Sequence, residues 1–214
     1  FREISWLKLF EYAPFYGILL YGFLRGGFLF RDKSYPIPTC ISAVIPTLNE
    51  SRSLVRCLES LKKRAGLNEI IVADGGSVDG TPALAAKMGA RVVKSPKGRG
   101  LQIRKGVESA SGDVIVILHA DCAAEKGVFK RILKNLESDP YAVGGAVGMQ
   151  FERNNPKTKV IAFLNNLRTF LTGISFGDQA QFFRTEALAA SGGFPSMMLM
   201  EDVELSLRLK EVGR

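Results

Sequence analysis

The sequence predicts an α/β fold: a mainly parallel, mixed sheet with helices on both faces, behind an apolar helical leader. Three observations predict it. From Thr39 onward, short apolar runs alternate with amphipathic stretches, the pattern of strand and helix in turn. The runs at 40–45 and 114–118 are almost wholly apolar, as parallel strands buried on both faces are. Residues 1–38 differ in composition, and residues 12–30 carry Arg25 as their only charge.

The elements follow in order. Residues 12–30 are close to the roughly 17–25 residues that span a bilayer. Arg25 lies near one end, where it can snorkel, and Trp6, Tyr12, Tyr16 and Tyr21 suit an interfacial belt. A spanning helix, an interfacial helix and a soluble helical lid all remain open. No small-residue cleavage site follows, which argues against a signal peptide. The breaker Pro36-Ile37-Pro38 separates this leader from the domain at 39–214. The first strand, 40–45, stops at Pro46, and Leu54, Leu58 and Leu61 share one face of a helix at 51–64. A second strand at 69–73 leads into the turn Asp74 to Gly80, and Thr81 caps a helix with Pro82 at its first position. Strand 91–94, helix 100–110, strand 114–118 and helix 126–138 follow. A strand at 143–151, a helix at 157–172, a strand at 181–184 and a helix at 201–212 complete the order. The chain opens on Phe1 without Met and stops at Arg214 in mid-pattern, so a C-terminally truncated fragment is expected.

Composition narrows the function. At 46% hydrophobic and 23% charged residues the chain is neither disordered nor low-complexity. Three cysteines without a CxxC pair argue against a disulfide scaffold or a four-cysteine zinc site, and fit reduced thiols in a cytoplasmic setting. A single histidine excludes a multi-histidine metal site. The net charge of +8 points to an anionic partner, and no RNA-binding or zinc-finger signature makes that partner nucleic acid. No P-loop and no calcium loop occurs.

In a parallel sheet, ligands bind where the strands end at their carboxyl side. The residues just after the strands are Pro46-Thr47-Leu48-Asn49-Glu50, Asp74-Gly75-Gly76-Ser77, and His119-Ala120-Asp121; Glu201-Asp202 opens the last helix. Asp74 can accept hydrogen bonds from a base or ribose, and its glycines allow close backbone approach. An ordinary strand-to-helix turn explains the same residues. His119 and Asp121, two apart on an extended segment, would project to one side and hold one divalent cation; a packed histidine and a helix cap explain the pair as well. Arg99, between Gly98 and Gly100, suits a bidentate phosphate contact.

In combination these segments resemble family-2 glycosyltransferases. Residues 43–50 are similar to the first strand and donor loop, 72–81 to the DDGSxDGT segment, and His119-Ala120-Asp121 stands in the place of the DxD motif. Gly192-Gly193-Phe194-Pro195 with Glu201-Asp202 resembles the GGF…ED segment. Leu118-His119-Ala120-Asp121 and Gly177-Asp178-Gln179 resemble a small bacterial subgroup. The resemblance implies a GT-A (Rossmann-like) three-layer fold and a nucleotide-diphosphate sugar donor. It implies a donor pocket of Pro46, Thr47, Asn49, Glu50, Asp74, Gly76, Ser77, Arg99, His119, Ala120 and Asp121. It further implies a Mn or Mg ion at Asp121, with His119 beside it, and Asp202 as general base of an inverting displacement. Asp178, Gln179 and Glu201 would lie on the acceptor side. A lipid-linked or polysaccharide acceptor and a place at the inner face of the cell membrane are the matching expectations. The chain departs from the family pattern at His119, where an acid is usual, and at Gly75. A sugar-phosphate nucleotidyltransferase and a non-catalytic, membrane-associated nucleotide-sugar binding module are the alternatives. The first would want a GxGxR loop after the first strand, which residues 46–50 lack.

Overall fold

The computed structural model describes residues 33–213, apart from 63, 149, 152–154 and 198. The expected leader helix therefore falls outside the described residues as far as residue 32. Residues 33–38 are not helical. Tyr35 instead anchors them to the domain: its N–H donates to Pro140 O at 2.9 Å and its buried hydroxyl donates to Val212 O at 3.2 Å.

The elements are β1 (Ile41–Thr47), α1 (Ser51–Leu61), β2 (Leu67–Asp74), α2 (Thr81–Lys87), β3 (Arg91–Lys94), α3 (Arg99–Glu108), β4 (Val114–Ile117) and α4 (Val128–Ser138). There follow β5 (Gly144–Ala146), α5 (Pro156–Thr172), a 3-10 turn (Gly177–Gln179), β6 (Gln181–Arg184), α6 (Thr185–Ala190) and α7 (Glu201–Lys210). They form one six-stranded sheet in the order β3-β2-β1-β4-β6-β5. The first four strands run parallel; β6 is antiparallel to β4 and to β5. The expected mainly parallel mixed sheet is thus present.

Strand pleat sorts the core into two layers. Ile41, Ala43 and Ile45 of β1 face α1 and α4, where Leu54, Leu58, Phe129 and Leu136 pack. Val44 faces the other way with Ile71, Ile115 and Phe183, against Ile103 of α3 and Leu205 of α7. Helix α3 lies unusually close to β1. A Cβ at Gly106 would come within 2.4 Å of Val44 Cγ1, so only glycine permits that approach.

Four local expectations are corrected. β1 continues through Pro46 to Thr47. Pro46 pairs with Ala73 of β2, and β1's pairing with β4 has already ended at Val44–Ile117, so the missing N–H takes no ladder bond away. The residue before α2 is Gly80, at φ 85, rather than Thr81. The Thr81 hydroxyl donates to Asp79 Oδ1 at 2.5 Å and accepts from Glu50 N–H at 2.9 Å, tying two loops together. The strand expected at 143–151 shrinks to Gly144–Ala146, because the N–H groups of Val147 and Gly148 turn away to Gln179 O. Gly148 sits at φ 96 there. Helix α6 was not expected; Ala187 and Leu188 bury it on the second layer.

Phe129 is 1% exposed at the centre of the first layer. Phe129→Ala is expected to cost about 3–5 kcal/mol by the cavity it opens. Urea unfolding of the two proteins measures it.

Candidate functional site

The carboxyl ends of β1 and β2 form the first half of the site. Thr47 Oγ1 donates to Asp74 Oδ1 at 3.2 Å across the two strands. Asp74 also accepts from Gly76 N–H at 3.0 Å, Ser77 N–H at 2.9 Å and the Ser77 hydroxyl at 2.5 Å. Burial alone would raise the Asp74 carboxyl; these bonds outweigh it and hold the group below the usual carboxylate range. The two loops are laced further: Asn49 N–H donates to Ser77 Oγ at 2.8 Å, and Asn49 Oδ1 accepts from Val78 N–H at 2.9 Å. Ser51 N–H reaches Asp79 Oδ2 at 3.0 Å. Pro46, Thr47, Asn49, Glu50, Asp74, Gly76 and Ser77 therefore come together as one patch.

Beneath this patch lies Gln102 of α3, which sequence reasoning missed. Its Nε2 donates to Thr47 O at 2.5 Å, the last carbonyl of β1, and to Ala73 O at 3.3 Å, one residue before the end of β2. Gly75 leaves it room, since a Cβ there would lie 2.9 Å from Gln102 Cδ. A lone glutamine in a helix carries no periodic signal that could have marked it.

The second half is built at the start of α7. Arg99, first residue of α3, donates through Nε to Glu201 Oε1 at 2.6 Å and through Nη2 to Asp202 Oδ2 at 3.4 Å. Gly177 N–H donates to the same Asp202 Oδ2 at 2.8 Å. Glu201 and Asp202 are both buried. The contact needs Gly100, where a Cβ would run into Met197 O of the segment leading into α7. At Gly177 three groups converge: a Cβ built there would lie 3.0 Å from His119 Nε2, 3.4 Å from Arg99 Nη1 and 3.5 Å from Asp202 Oδ2. His119 Nε2 and Glu201 Oε2 are buried and have no hydrogen-bond partner among the described residues.

His119 and Asp121 do not lie on an extended segment, as expected, but in a turn closed by Cys122 N–H donating to His119 O at 3.1 Å. The turn sends the Asp121 side chain to solvent, buries Ala120 and points His119 inward. Among the described residues, no group of three or more His, Cys, Asp or Glu side chains is gathered for a cation. Asp121 can offer an exposed carboxylate. A cation on His119 Nε2 would sit beside the Arg99 guanidinium. The neighbouring thiols are inert: burial pushes Cys57 up to about 12 and Cys122 to about 11.

The Gly177–Gln179 turn closes the site. Gln179 is spent on structure: its Oε1 accepts from Phe176 N–H, the Thr169 hydroxyl and Arg168 Nη2, and its Nε2 donates to Asn165 O and Asn166 Oδ1. Arg168 lies over the Phe176 ring, 3.4 Å from its centroid. Asp178 stands at the rim. Loss of water raises its carboxyl above the ordinary range, opposed by Arg168 and His119. The three non-glycine residues with positive φ among those described, Asn49, Ala180 and Met200, all border these loops. Such backbone strain gathers where function needs it.

The domain carries its polar loops at the carboxyl edge of a mainly parallel sheet, and it shares the GT-A fold of the solved structures that superpose on it. Residues 42–200 match the model of Glycosyl transferase family 2, and the chain belongs to that family. It is 27% identical over 202 residues to the uncharacterized glycosyltransferase YaiP of Escherichia coli, covering 86% of this chain and 50% of YaiP. The chain spans about half the length of the curated relatives it matches. Residues 1–349 of Staphylococcus aureus TarS superpose with a TM-score of 0.65 at 16% identity, covering 82% of this chain and 56% of that one. The mannosyltransferase PcManGT of Pyrobaculum calidifontis, solved with GDP-Man and Mn2+, superposes at 0.62 with 20% identity over 91% of this chain and 60% of its own. At these identities the two structures show the fold.

The Asp74 carboxyl yields a pH test. Its folded pKa is depressed, so its stabilisation is full above the unfolded value of about 3.9 and is lost as pH falls through the folded one. Asp74→Asn should therefore melt below the parent protein at pH 7, and the gap should close as the buffer is taken below about pH 4. Calorimetric melts across that range check it; a gap that widens on acidification would refute the assignment.

Proposed function

We propose that this domain transfers a sugar from a nucleoside diphosphate sugar to an acceptor hydroxyl by a single inverting displacement. The observation that carries the reading is the meeting of Asp202, Arg99 and His119 at Gly177, next to the Thr47–Asp74 patch. Family membership and the nucleotide sugar and Mn2+ held by PcManGT support it. The nucleoside stacks its polar edges on the patch of Thr47, Asn49, Asp74 and Ser77. Asp202 takes the proton of the acceptor hydroxyl as that oxygen attacks, a step that contributes roughly 10²–10⁴ in rate. Gly177 N–H and Arg99 aim the carboxylate. With a base placed beside the donor patch, attack from the face opposite the leaving group needs no covalent intermediate.

Asp121 would hold a divalent cation, Mn or Mg, and His119, turned inward beside Arg99, is the alternative ligand rather than a second one to the same ion. Once bound it neutralises the charge that develops on the leaving diphosphate. The chain's own contribution is the exposed carboxylate of Asp121 at the rim. Asp178 and Glu201 border the acceptor side, and Gln179 positions the turn that carries Asp178. Cys40, Cys57 and Cys122 are free thiols, which fits a reducing, cytoplasmic compartment. The loop after β1 has no glycine-rich stretch to seat a nucleotidyltransferase's triphosphate, so that alternative lacks its binding element.

Two variants test the roles. Asp202→Asn should lower transfer by at least about 10²-fold while calorimetric affinity for UDP or GDP stays unchanged; unchanged turnover would remove Asp202 as the base. Asp121→Ala should abolish the gain in nucleoside diphosphate affinity that Mn confers, as EDTA should for the parent protein. If the Mn effect survives in the variant, the cation sits elsewhere.

A further inference from the structure

Helix α5 is amphipathic the wrong way round. Val160, Phe163, Leu164, Leu167, Phe170 and Leu171 recur at i, i+3, i+4, i+7, i+10 and i+11, a single apolar stripe. A surface helix ordinarily turns such a stripe to the core. Here none of the helix's residues is buried, and the stripe is its exposed side: Phe163 is 63%, Leu171 66% and Phe170 85% exposed. The half-buried side is the polar one, with Asn165, Asn166, Arg168 and Thr169, and it docks on Gln179. The capping box of Asn155 and Thr158 and the left-handed Gly173 end the helix cleanly at both termini. Its 17 residues are about 25 Å long.

The charges on the helix identify what covers this stripe. The helix carries Lys157, Lys159 and Arg168 and no acid. Lys157 and Lys159 are exposed at the edges of the stripe, where their stems can lie along apolar surface with the ammonium groups in water. A second copy would bring the same cations against them. Residues 12–30 hold Arg25 and no acid, so they offer no complement either. An apolar stripe edged by lysines matches an anionic lipid surface, on which such a helix lies in the interfacial plane. No helix among the described residues is long and apolar enough to cross a membrane, and α5 is suited to lie on one.

We infer that α5 seats the domain on an anionic bilayer, its apolar stripe among the lipid chains and its polar side carrying the Gly177–Gln179 turn. The acceptor side of the site is then held about one helix diameter, roughly 10 Å, from the lipid surface, and the acceptor is one that the membrane presents. That last clause rests on the proposed transfer reaction; the docking itself does not.

The test uses the full chain and vesicles of phosphatidylcholine, alone or mixed with phosphatidylglycerol, without donor or acceptor. The parent protein should co-sediment with the anionic vesicles more strongly than with the neutral ones. Phe163→Glu with Phe170→Glu should weaken that binding at least about tenfold, with circular dichroism and donor hydrolysis unchanged. Residues 1–32 are the same in both proteins, so their own affinity for lipid cancels. The chain has one Trp, Trp6. In Trp6→Phe with Phe170→Trp, the sole indole should shift to the blue on anionic vesicles. Equal binding of the Glu variant, no blue shift, or no preference for anionic lipid would overturn the proposal. So would a dimer in sedimentation velocity that the Glu variant dissolves without any change in vesicle binding. A protein that binds vesicles but transfers no sugar would sink the reaction and leave the docking intact.

Discussion

The buried amide of Gln102 is the joint on which the site depends. Where two strands end side by side, the buried carbonyls near their ends need donors. Gln102 donates to both Thr47 O and Ala73 O, beside the Gly75 N–H that also reaches Thr47 O, so one side chain clamps the ends of two strands. Its reach depends on α3 lying close to the sheet, and that depends on Gly106 against Val44. Three residues before Gln102 on the same helix, Arg99 grips the acidic start of α7. One short helix therefore sets the distance between the Thr47–Asp74 patch and the acidic pair.

The acidic pair is held under tension that a purely structural helix start would avoid. Met200 adopts φ 64 with a full side chain, Glu201 is buried with one oxygen unpaired, and Asp202 buries its carboxylate beside it. Arg99 is the compensating charge. A buried ion pair adds little net stability, yet losing one partner leaves a costly unpaired charge, so the arrangement serves placement more than stability. The unpartnered His119 Nε2 at the same point belongs to this pattern: polar groups are brought together and left incompletely satisfied, ready for the groups of a ligand.

Helix α5 extends the same logic to the outer surface. Its hydrogen-bonding side is consumed by Gln179, so the turn that begins at Asp202's partner Gly177 is fixed to the helix. The helix and the Gly177–Gln179 turn must then move together, whatever surface the apolar stripe meets.

Much of the fold could be read locally. The apolar run at 114–118 marks its strand to within a residue, because a strand buried on both faces needs little beyond unbroken apolar side chains, while 91–94 and 181–184 each rest on a central apolar pair, Val92-Val93 and Phe182-Phe183. The alternation of strand and helix implies parallel pairing, and parallel pairing collects Thr47, Asp74 and His119 at one edge. That part of the site was legible for topological reasons. Gln102 was not, nor was the length of β5, since both are decided by partners far along the chain: Thr47 is 55 residues from Gln102, and Gln179 draws away the N–H groups of Val147 and Gly148. Arg99 meets Glu201 and Asp202 across 102 and 103 residues, a pairing no local pattern encodes. The clearest division is at α5. Periodicity determined that the helix has one apolar and one polar side. Only the tertiary structure decided which side turns inward, because that choice depends on whether a neighbour offers apolar area or, as Gln179 does, hydrogen bonds.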